Sequence, residues 1–337
     1  MPRVVIATPL EPELVARLRA VDERLDVAYE ADLLPTPRWA SDHIGDPSFV
    51  RTPEQEARFT ELVAGAEIVL GYPQEDPAQI AWLVRTAPEL RWVQATFAGA
   101  GQQLSAAGLA REDVERITWT SSVGIHITPL GEWALFGILA LTKDLPRLEA
   151  DKRARHWAHY PVDEVRGTTV LVVGLGEIGG EVARLAEAFG MNVLWTRRNE
   201  GDLDELLPRA DSVVVTLPLT GETRGMFDRR RLGLLKPGAI FVNIGRGPVV
   251  DEEALIDALR SGHLRGAALD VYATEPLPVD SPLRTEERIL LSPHAGGATR
   301  EAQGRLIAAV IENVRRAVSG EPVQHVVNGL EPVIRRR

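Results

Sequence analysis

The chain has 337 residues, enough for about two domains at roughly 150 residues each. With 45% apolar and 26% charged residues, the composition is typical of a globular protein and excludes a fibrous or disordered chain. A formal net charge of -10 disfavours nonspecific binding to nucleic acid or anionic membranes, and the lack of cysteine excludes disulfides and thiolate chemistry.

Short β-rich runs alternate with amphipathic helical patterns along the chain, which predicts parallel sheets covered by helices on both faces. A first region is predicted to contain strands at 4–7, 68–71, 92–96 and 117–120 and helices at 11–20 and 77–85. A polar stretch within it, 32–53, is predicted to be a long surface loop. A second region is predicted to contain strands at 170–173, 193–196, 213–216, 240–243, 267–270 and 289–291.

Two longer helical patterns, 131–142 and 301–318, lie at the edges of the second region. If both connect the two regions, the second region is an insertion in the first. We therefore expect a discontinuous substrate domain, 1–125 with 298–337, and a dinucleotide-binding domain, 126–297.

A glycine-rich turn follows the predicted strand 170–173 and precedes a helical pattern. Its glycines, Gly174, Gly176 and Gly179, are spaced for a tight turn, a close approach to a pyrophosphate and helix packing. The backbone N–H groups that open the helix, at Glu177 and Ile178, would bind the phosphates. The pattern predicts a dinucleotide site, and the alternative is a glycine-rich turn without a ligand.

The end of the next strand bears on the choice of cofactor. An NAD site carries a carboxylate about 20 residues after the first glycine, to bind the ribose 2′-hydroxyl. Here Thr196, Arg197 and Arg198 stand instead, and guanidinium groups suit a 2′-phosphate. The sequence therefore favours NADP (NADPH) and leaves NAD possible. The alternative is that these arginines are surface residues at a strand end with no role in cofactor binding.

Three polar residues follow three later strands of the second region. Arg246 follows 240–243, Glu275 follows 267–270, and His294 follows 289–291. Ligands of open parallel sheets bind at the carboxyl ends of the strands, so these side chains should converge beside the cofactor. Each residue alone is more often structural, but their convergence predicts a functional site.

Five segments occur in a fixed order: Gly-Leu-Gly-Glu-Ile-Gly at 174–179, Leu-Pro-Leu-Thr at 217–220, Asn-Ile-Gly-Arg-Gly at 243–247, Asp-Val-Tyr with Glu-Pro at 270–276, and Ser-Pro-His-Ala-Gly at 292–296. With them the chain resembles the D-isomer-specific 2-hydroxyacid dehydrogenase family over about 94–328. The resemblance implies an α/β fold with two doubly wound parallel sheets, in which a Rossmann cofactor domain is inserted in a flavodoxin-like substrate domain.

The resemblance also implies roles for individual residues. Arg246 would fasten the substrate carboxylate and carbonyl, His294 would be the acid/base, and Glu275 its partner. Asp270 would hold the nicotinamide carboxamide. The remaining implied contacts are Leu217 and Pro218 on the adenosine side, Gly245 beside the cofactor, and the backbone N–H groups of Ala100 and Gly101 on the substrate carboxylate.

The sequence departs from the family pattern in three places. Gln102 and Gln103 stand where many members have an aspartate, which puts the substrate-side contacts in doubt. Arg197 replaces the acid of the second strand. The segment 198–206 is short, which predicts a more open adenosine pocket.

These features predict an NADPH-preferring reductase of small 2-keto acids, most similar to glyoxylate/hydroxypyruvate reductases. A phosphoglycerate dehydrogenase is the weaker fit, because many of them carry a regulatory domain for which a chain ending at Arg337 has no room. Formate dehydrogenases pair the histidine with glutamine, which Glu275 argues against. A non-catalytic, NAD(P)-sensing corepressor is the alternative from another functional class.

The apolar helix 131–141 predicts how the chain assembles. Its apolar side chains surround most of the helix, more than packing on one domain requires, so we expect a homodimer. The alternative is an internal helix.

The apolar run Trp133–Leu141 is too short to cross a bilayer, and the first residues of the chain lack a signal-peptide core. We therefore expect a cytoplasmic protein.

Overall fold

A computed structural model describes residues 2–39, 42–72, 76–97, 100–198 and 200–327. The chain divides into two compact units: unit 1 is Met1–Ile125 with Thr299–Arg337, and unit 2 is His126–Ala298. Unit 1 is thus discontinuous in sequence, and unit 2 is the segment inserted in it. Each unit has a sheet of mainly parallel strands covered by helices, which confirms the predicted fold class.

The described elements alternate between strand and helix through most of the chain. The strands are β1 Arg3–Ile6, β2 Asp26–Ala28, β3 Ile68–Leu70, β4 Trp92–Gln94, β5 Thr118–Thr120, β6 Thr169–Val173, β7 Asn192–Thr196, β8 Ser212–Val215, β9 Ala239–Asn243, β10 Leu264–Leu269, β11 Ile289–Leu291 and β12 Val326–Val327. The helices are α1 Pro12–Arg19, α2 Pro53–Ala64, α3 Pro77–Thr86, α4 Ala100–Ala106, α5 Arg111–Arg116, α6 Ile127–Thr142, α7 Leu145–Ala154, α8 Glu177–Ala188, α9 Leu203–Leu206, α10 Arg229–Leu234, α11 Glu252–Arg260 and α12 Arg300–Ser319.

The sheet of unit 1 has the strand order β12-β5-β4-β3-β1-β2. Its pairs are parallel except for β12, which runs antiparallel to β5. The central strands are buried because helices cover both faces, and α12 supplies one of those faces with Leu306, Ile307, Val310 and Val314. The last described helix and strand therefore complete a sheet that the first residues begin.

A buried polar network ties α12 and β12 to this sheet. The Asn313 Nδ2 group donates to Gln94 Oε1 at 2.8 Å and to the Gln324 carbonyl at 3.1 Å. The Asn313 Oδ1 atom accepts from Gln324 N at 2.7 Å. Thr120 Oγ1 also donates to Gln94 Oε1, at 2.8 Å. Because unpaired buried polar groups are costly, this network fixes where the chain returns to unit 1.

The sheet of unit 2 is parallel throughout, with the order β11-β10-β9-β8-β6-β7. The chain steps from β6 to β7 on one side and then returns to β8 on the other side of β6. Such a reversal leaves a crevice at the carboxyl ends of β6 and β8, where ligands of doubly wound sheets bind. The turns that follow β6, β8, β9, β10 and β11 all open at this edge.

Helix α6 packs mostly inside unit 2. Its side chains Ala134, Leu135, Ile138 and Leu141 are buried against the sheet. Gly137 lies directly on β10, since an added Cβ would be 2.6 Å from the Ala268 Cβ. Phe136 remains 53% exposed. Packing inside unit 2 accounts for most of the apolar side chains around α6. Within the described ranges no helix has the length and apolarity to cross a bilayer.

The predicted surface loop 32–53 contains more order than its polar composition indicated. A 3-10 turn covers Ala31–Leu33, and Leu33 and Leu34 are buried in unit 1. Helix α2 begins directly after Thr52, whose side chain accepts from Gln55 N while the Gln55 side chain accepts from Thr52 N. This reciprocal cap satisfies N–H groups that a helix start leaves unpaired.

Candidate functional site

The glycine turn joins β6 to α8 in a conformation that requires glycine. Gly174 has φ +104°, and its N–H and that of Leu175 donate to the Thr196 carbonyl at 3.1 and 2.9 Å. A Cβ on Gly179 would lie 2.3 Å from the Gly174 carbonyl oxygen. Side chains at either position would therefore break the contact between the turn and the helix.

The outer side of this turn fits a pyrophosphate. A Cβ on Gly176 would meet no atom of the described residues within 4 Å, so among them the backbone there is open to a ligand. The N–H groups of Glu177, Ile178 and Gly179 precede the first bond of α8, which runs from Gly180 N to the Gly176 carbonyl. These groups and the positive end of the helix form an anion site of the kind that dinucleotides use.

The turn after β8 closes over the glycine turn from the neighbouring strand. Thr216 Oγ1 donates to the Gly174 carbonyl at 2.6 Å, and the Leu217 side chain would be 2.9 Å from a Cβ on Gly174. The Pro218 carbonyl accepts from Thr223 Oγ1 at 2.7 Å, which holds the loop that follows. Leu217 and Pro218 thus border the crevice between β6 and β8.

The end of β7 places two arginines on the surface beside this crevice. Thr196 is buried and acts through its carbonyl, which closes the glycine turn. Arg197 and Glu200 exchange backbone hydrogen bonds of 2.9 and 2.8 Å. Arg198 Nη2 lies 3.8 Å from Glu222 Oε1, and both side chains are largely exposed. Arg197 and Arg198 therefore have their guanidinium groups in or near solvent.

Arg246 is held at the end of β9 by its neighbours. Asn243 Oδ1 accepts from Gly245 N at 3.0 Å, and Asn243 Nδ2 donates to the Arg246 carbonyl at 3.2 Å. The Arg246 guanidinium donates back to the Gly245 carbonyl at 2.7 Å. Burial lowers the pKa of Arg246 and the charge of Glu275 opposes that change. Arginine stays charged in proteins, so the site contains a fixed cation.

His294 and Glu275 form a hydrogen-bonded pair at the ends of β11 and β10. His294 Nδ1 donates to Glu275 Oε2 at 2.7 Å, and Tyr272 N donates to Glu275 Oε1 at 2.9 Å. The bond to Glu275 raises the pKa of His294, against the effect of burial. Burial alone would raise the pKa of Glu275, but these hydrogen bonds keep it low. The Nε2 atom is left to exchange a proton with a ligand.

Asp270 holds the loop on which His294 lies. Its Oδ1 atom accepts from Ala295 N and Gly296 N, each at 2.9 Å. His294 itself has φ +54°, a left-handed conformation that is uncommon for residues other than glycine. The carboxylate is buried, and burial raises the pKa of Asp270. The Asp270 carboxylate thus accepts two hydrogen bonds that support a strained backbone next to the imidazole.

The structure brings Arg246, Glu275 and His294 together at the carboxyl edge of the sheet of unit 2. Glu275 raises the pKa of His294 through its hydrogen bond and its charge, and the charge of Arg246 opposes this. Ala100 and Gly101 belong to unit 1, where they open helix α4. Ala98, Gly99 and the Gln102 side chain, which belong to the same predicted substrate loop, lie outside the described residues.

Sequence reasoning missed two residues that support this edge. Gly247 packs against the Tyr272–Ala273 peptide, and Glu252 accepts from Ala273 N at 2.6 Å. Two sequence features could have pointed to them: Gly247 directly follows Arg246, and Glu252 is a carboxylate at the start of α11.

Comparison with known proteins relates this architecture to others. Residues 135–296 match the model of the family "D-isomer specific 2-hydroxyacid dehydrogenase, NAD binding domain". The chain is 35% identical over 342 residues to a D-3-phosphoglycerate dehydrogenase of Mycobacterium bovis, covering 97% of this chain and 59% of that protein. The chain thus spans about three fifths of the length of that relative.

Two further relatives are covered over most of their length. A "Putative 2-hydroxyacid dehydrogenase" of Haemophilus influenzae is 35% identical over 252 residues, 68% of this chain and 78% of that protein. The crystal structure of an NADPH-dependent glyoxylate/hydroxypyruvate reductase from Sinorhizobium meliloti has a TM-score of 0.76 and 25% identity. That match covers 98% of this chain and 99% of the other.

The His294–Glu275 pair predicts a shift that can be measured without any ligand. In Glu275→Gln the imidazolium loses the carboxylate that stabilises it, so the pKa of His294 should fall. NMR titration of the imidazole protons measures this pKa, and the His294→Asn spectrum identifies the resonance. Glu287→Gln, at an exposed position before β11 and away from the pair, is the matched control. An unchanged midpoint in Glu275→Gln would refute the electrostatic role of Glu275.

Proposed function

Because the chain belongs to the D-isomer-specific 2-hydroxyacid dehydrogenase family, we propose that it reduces small 2-keto acids to D-2-hydroxy acids with NADPH. The observation that carries this proposal is the hydrogen-bonded His294–Glu275 pair beside the charged Arg246, on the sheet that also carries the glycine turn. A proton donor, a cation and a dinucleotide turn are the parts that reduction of a carbonyl requires.

Arg246 is proposed to bind the substrate carboxylate and the keto oxygen. A guanidinium presents several donors in a rigid plane, which suits the two oxygens of a 2-keto acid. As the carbonyl becomes an alkoxide, negative charge develops on its oxygen, and a fixed cation at that point stabilises the transition state. The backbone N–H groups of Ala100 and Gly101 are also proposed to bind a substrate carboxylate.

His294 is proposed to complete the reaction as the acid. The substrate gains a hydride at C2, and the Nε2–H bond of His294 breaks as its proton passes to the keto oxygen. Glu275 holds the opposite ring nitrogen and favours the imidazolium before the transfer. Solvent then returns a proton to Nε2, which restores the acid for the next turnover.

The residues of unit 2 fit a nicotinamide dinucleotide. When bound, NADPH supplies the hydride. We propose that Gly174, Gly176 and the first turn of α8 hold its pyrophosphate, since the open backbone at Gly176 admits one. Leu217 and Pro218 would cover the adenosine side. Gly245 and Asp270 would lie beside the nicotinamide.

Arg197 and Arg198 are the basis for proposing NADPH and not NADH. A 2′-phosphate carries nearly two negative charges. At the end of β7, where an NAD site has a carboxylate, this chain has Arg197. The NADPH dependence stated for the Sinorhizobium meliloti reductase is consistent with this proposal. NAD remains the second candidate cofactor.

A second candidate substrate comes from the Mycobacterium bovis relative. Its identity extends over 97% of this chain, so 3-phosphohydroxypyruvate belongs in any substrate panel. Consumption of NADPH or NADH with glyoxylate, hydroxypyruvate and 3-phosphohydroxypyruvate separates the two activities. The proposal requires the highest kcat/KM with an unphosphorylated keto acid, and no turnover of any keto acid would contradict it.

The role of His294 as proton donor predicts a large loss of rate. His294→Asn should lower kcat for keto-acid reduction by about 10² to 10⁴, the usual contribution of a general acid. NADPH binding should barely change, because the imidazole is assigned to the substrate. Steady-state kinetics and NADPH fluorescence titration measure the two effects. A variant that keeps more than about a third of the wild-type rate would remove His294 from the mechanism.

Cofactor choice is tested at Arg197. Arg197→Asp should raise KM for NADPH by about tenfold or more, because attraction to the 2′-phosphate becomes repulsion. KM for NADH should stay equal or fall, and the keto-acid profile should not change. Arg209→Asp makes the same charge change at an exposed position elsewhere in unit 2 and serves as control. Equal efficiency of the wild type with NADH and NADPH at about 0.1 M salt would contradict the assignment.

We also propose a homodimer that buries an apolar surface of unit 2. Four large apolar side chains within residues 136–162 are exposed in the single chain: Phe136, Leu148, Trp157 and Val162. Trp157 is 90% exposed, which is unusual for so large a side chain. Light scattering at micromolar concentration should give about twice the chain mass of 36.9 kDa. Trp157→Glu should lower that mass, whereas a wild-type mass near that of one chain would contradict the dimer.

A further inference from the structure

The turn that carries Glu275 is in direct contact with the turn that carries Arg246. A Cβ on Gly247 would lie 1.8 Å from the Tyr272 carbonyl carbon and 2.5 Å from Ala273 N. No side chain larger than hydrogen can occupy this position without moving one of the two turns. The Tyr272–Ala273 peptide is therefore packed directly on the backbone that follows Arg246.

A second carboxylate binds the same peptide. Glu252, the first residue of α11, accepts from Ala273 N at 2.6 Å through Oε1. The preceding N–H, at Tyr272, donates to Glu275 Oε1 at 2.9 Å. Adjacent N–H groups of one turn are thus taken by two carboxylates, one from the turn itself and one from α11. Glu252 thereby connects the helix after Arg246 to the turn of Glu275.

Glu252 is partly buried among groups of the site. Glu275 and Tyr272, both after β10, interact electrostatically with Glu252, and Asp251 and Glu253 flank it in the chain. The charged groups that act on His294 itself are Glu275, Asp270 and Arg246. Burial raises the pKa of Glu252, its bond with Ala273 opposes this, and the charge of Glu275 raises it further. When ionised, Glu252 thus places a negative charge near Glu275, the hydrogen-bond partner of His294.

We propose that Glu252 is a positioning residue for the acid/base pair: its bond to Ala273 N fixes the turn that presents Glu275, and its charge favours the imidazolium of His294. This inference rests on the proposed function only in taking His294 as the acid. Glu252 is not among the residues proposed to bind substrate or cofactor. Its two effects, on geometry and on charge, can be separated by substitution.

Two variants at one position make the separation. Glu252→Ala removes both acceptor and charge, and misplacement of a catalytic group by about 1 Å costs up to about 10²-fold. We expect kcat/KM for the keto acid to fall by about 10- to 100-fold, with KM for NADPH unchanged. Glu252→Gln keeps an oxygen acceptor for Ala273 N, so at low pH it should recover to within about threefold of wild type.

The pH profile of Glu252→Gln reports the charge. Reduction needs protonated His294, so the rate falls as pH rises through the pKa of that residue. Loss of the nearby negative charge lowers this pKa, so the fall should begin at lower pH than in wild type. Glu253→Gln, the same change at the exposed next residue, should leave the profile unchanged. Circular dichroism and thermal midpoints verify that the variants fold.

NMR titration of the His294 imidazole gives a readout that needs no substrate. If the wild type turns over no keto acid, the proposed function fails, yet the positioning role still requires a lower midpoint in Glu252→Gln. An unchanged midpoint in that variant, or a Glu252→Ala variant within twofold of the wild-type rate, would overturn the inference. A lower midpoint together with rescue by glutamine supports it.

Discussion

The hydrogen bond between His294 and Glu275 depends on one turn, residues 270–276, which is held by bonds between carboxylates and backbone N–H groups. Asp270 at its start binds the loop of His294, and Glu275 near its end binds the Tyr272 N–H. Both carboxylates thus accept hydrogen bonds that stabilise the loops of the site. Because both ends of the turn are anchored, the imidazole and its carboxylate are held 2.7 Å apart. Such preorganisation is a main source of enzymatic rate enhancement.

Much of the fold could be predicted from the sequence, because buried parallel strands are short continuous apolar runs. This signal located the strands β6, β8, β9 and β11 to within one residue, whereas β10 begins three residues before its predicted start. Strand β2, Asp26–Ala28, was missed because it has only three residues, is not buried and lies at an edge of its sheet. Strand β12 was missed because its position depends on the bonds of Asn313, a contact between residues far apart in the chain.

The site could be predicted only to the extent that strand ends reveal it. Arg246, Glu275 and His294 each follow a strand, so topology alone places them at one edge. The bond from Glu252 to Ala273 N and the packing of Gly247 were not predictable, since they depend on how two loops fold against each other. Sequence patterns report which residues share an edge, whereas distances between loops require coordinates.

The insertion of unit 2 into unit 1 has a consequence for synthesis on the ribosome. The chain leaves unit 1 at Ile125 and returns at Thr299, so unit 2 emerges whole while unit 1 still lacks α12 and β12. Until then the core of unit 1 lacks Leu306 and Val310, and α1 alone covers part of that apolar sheet face. In a nascent chain, unit 2 is therefore complete before unit 1 can finish folding.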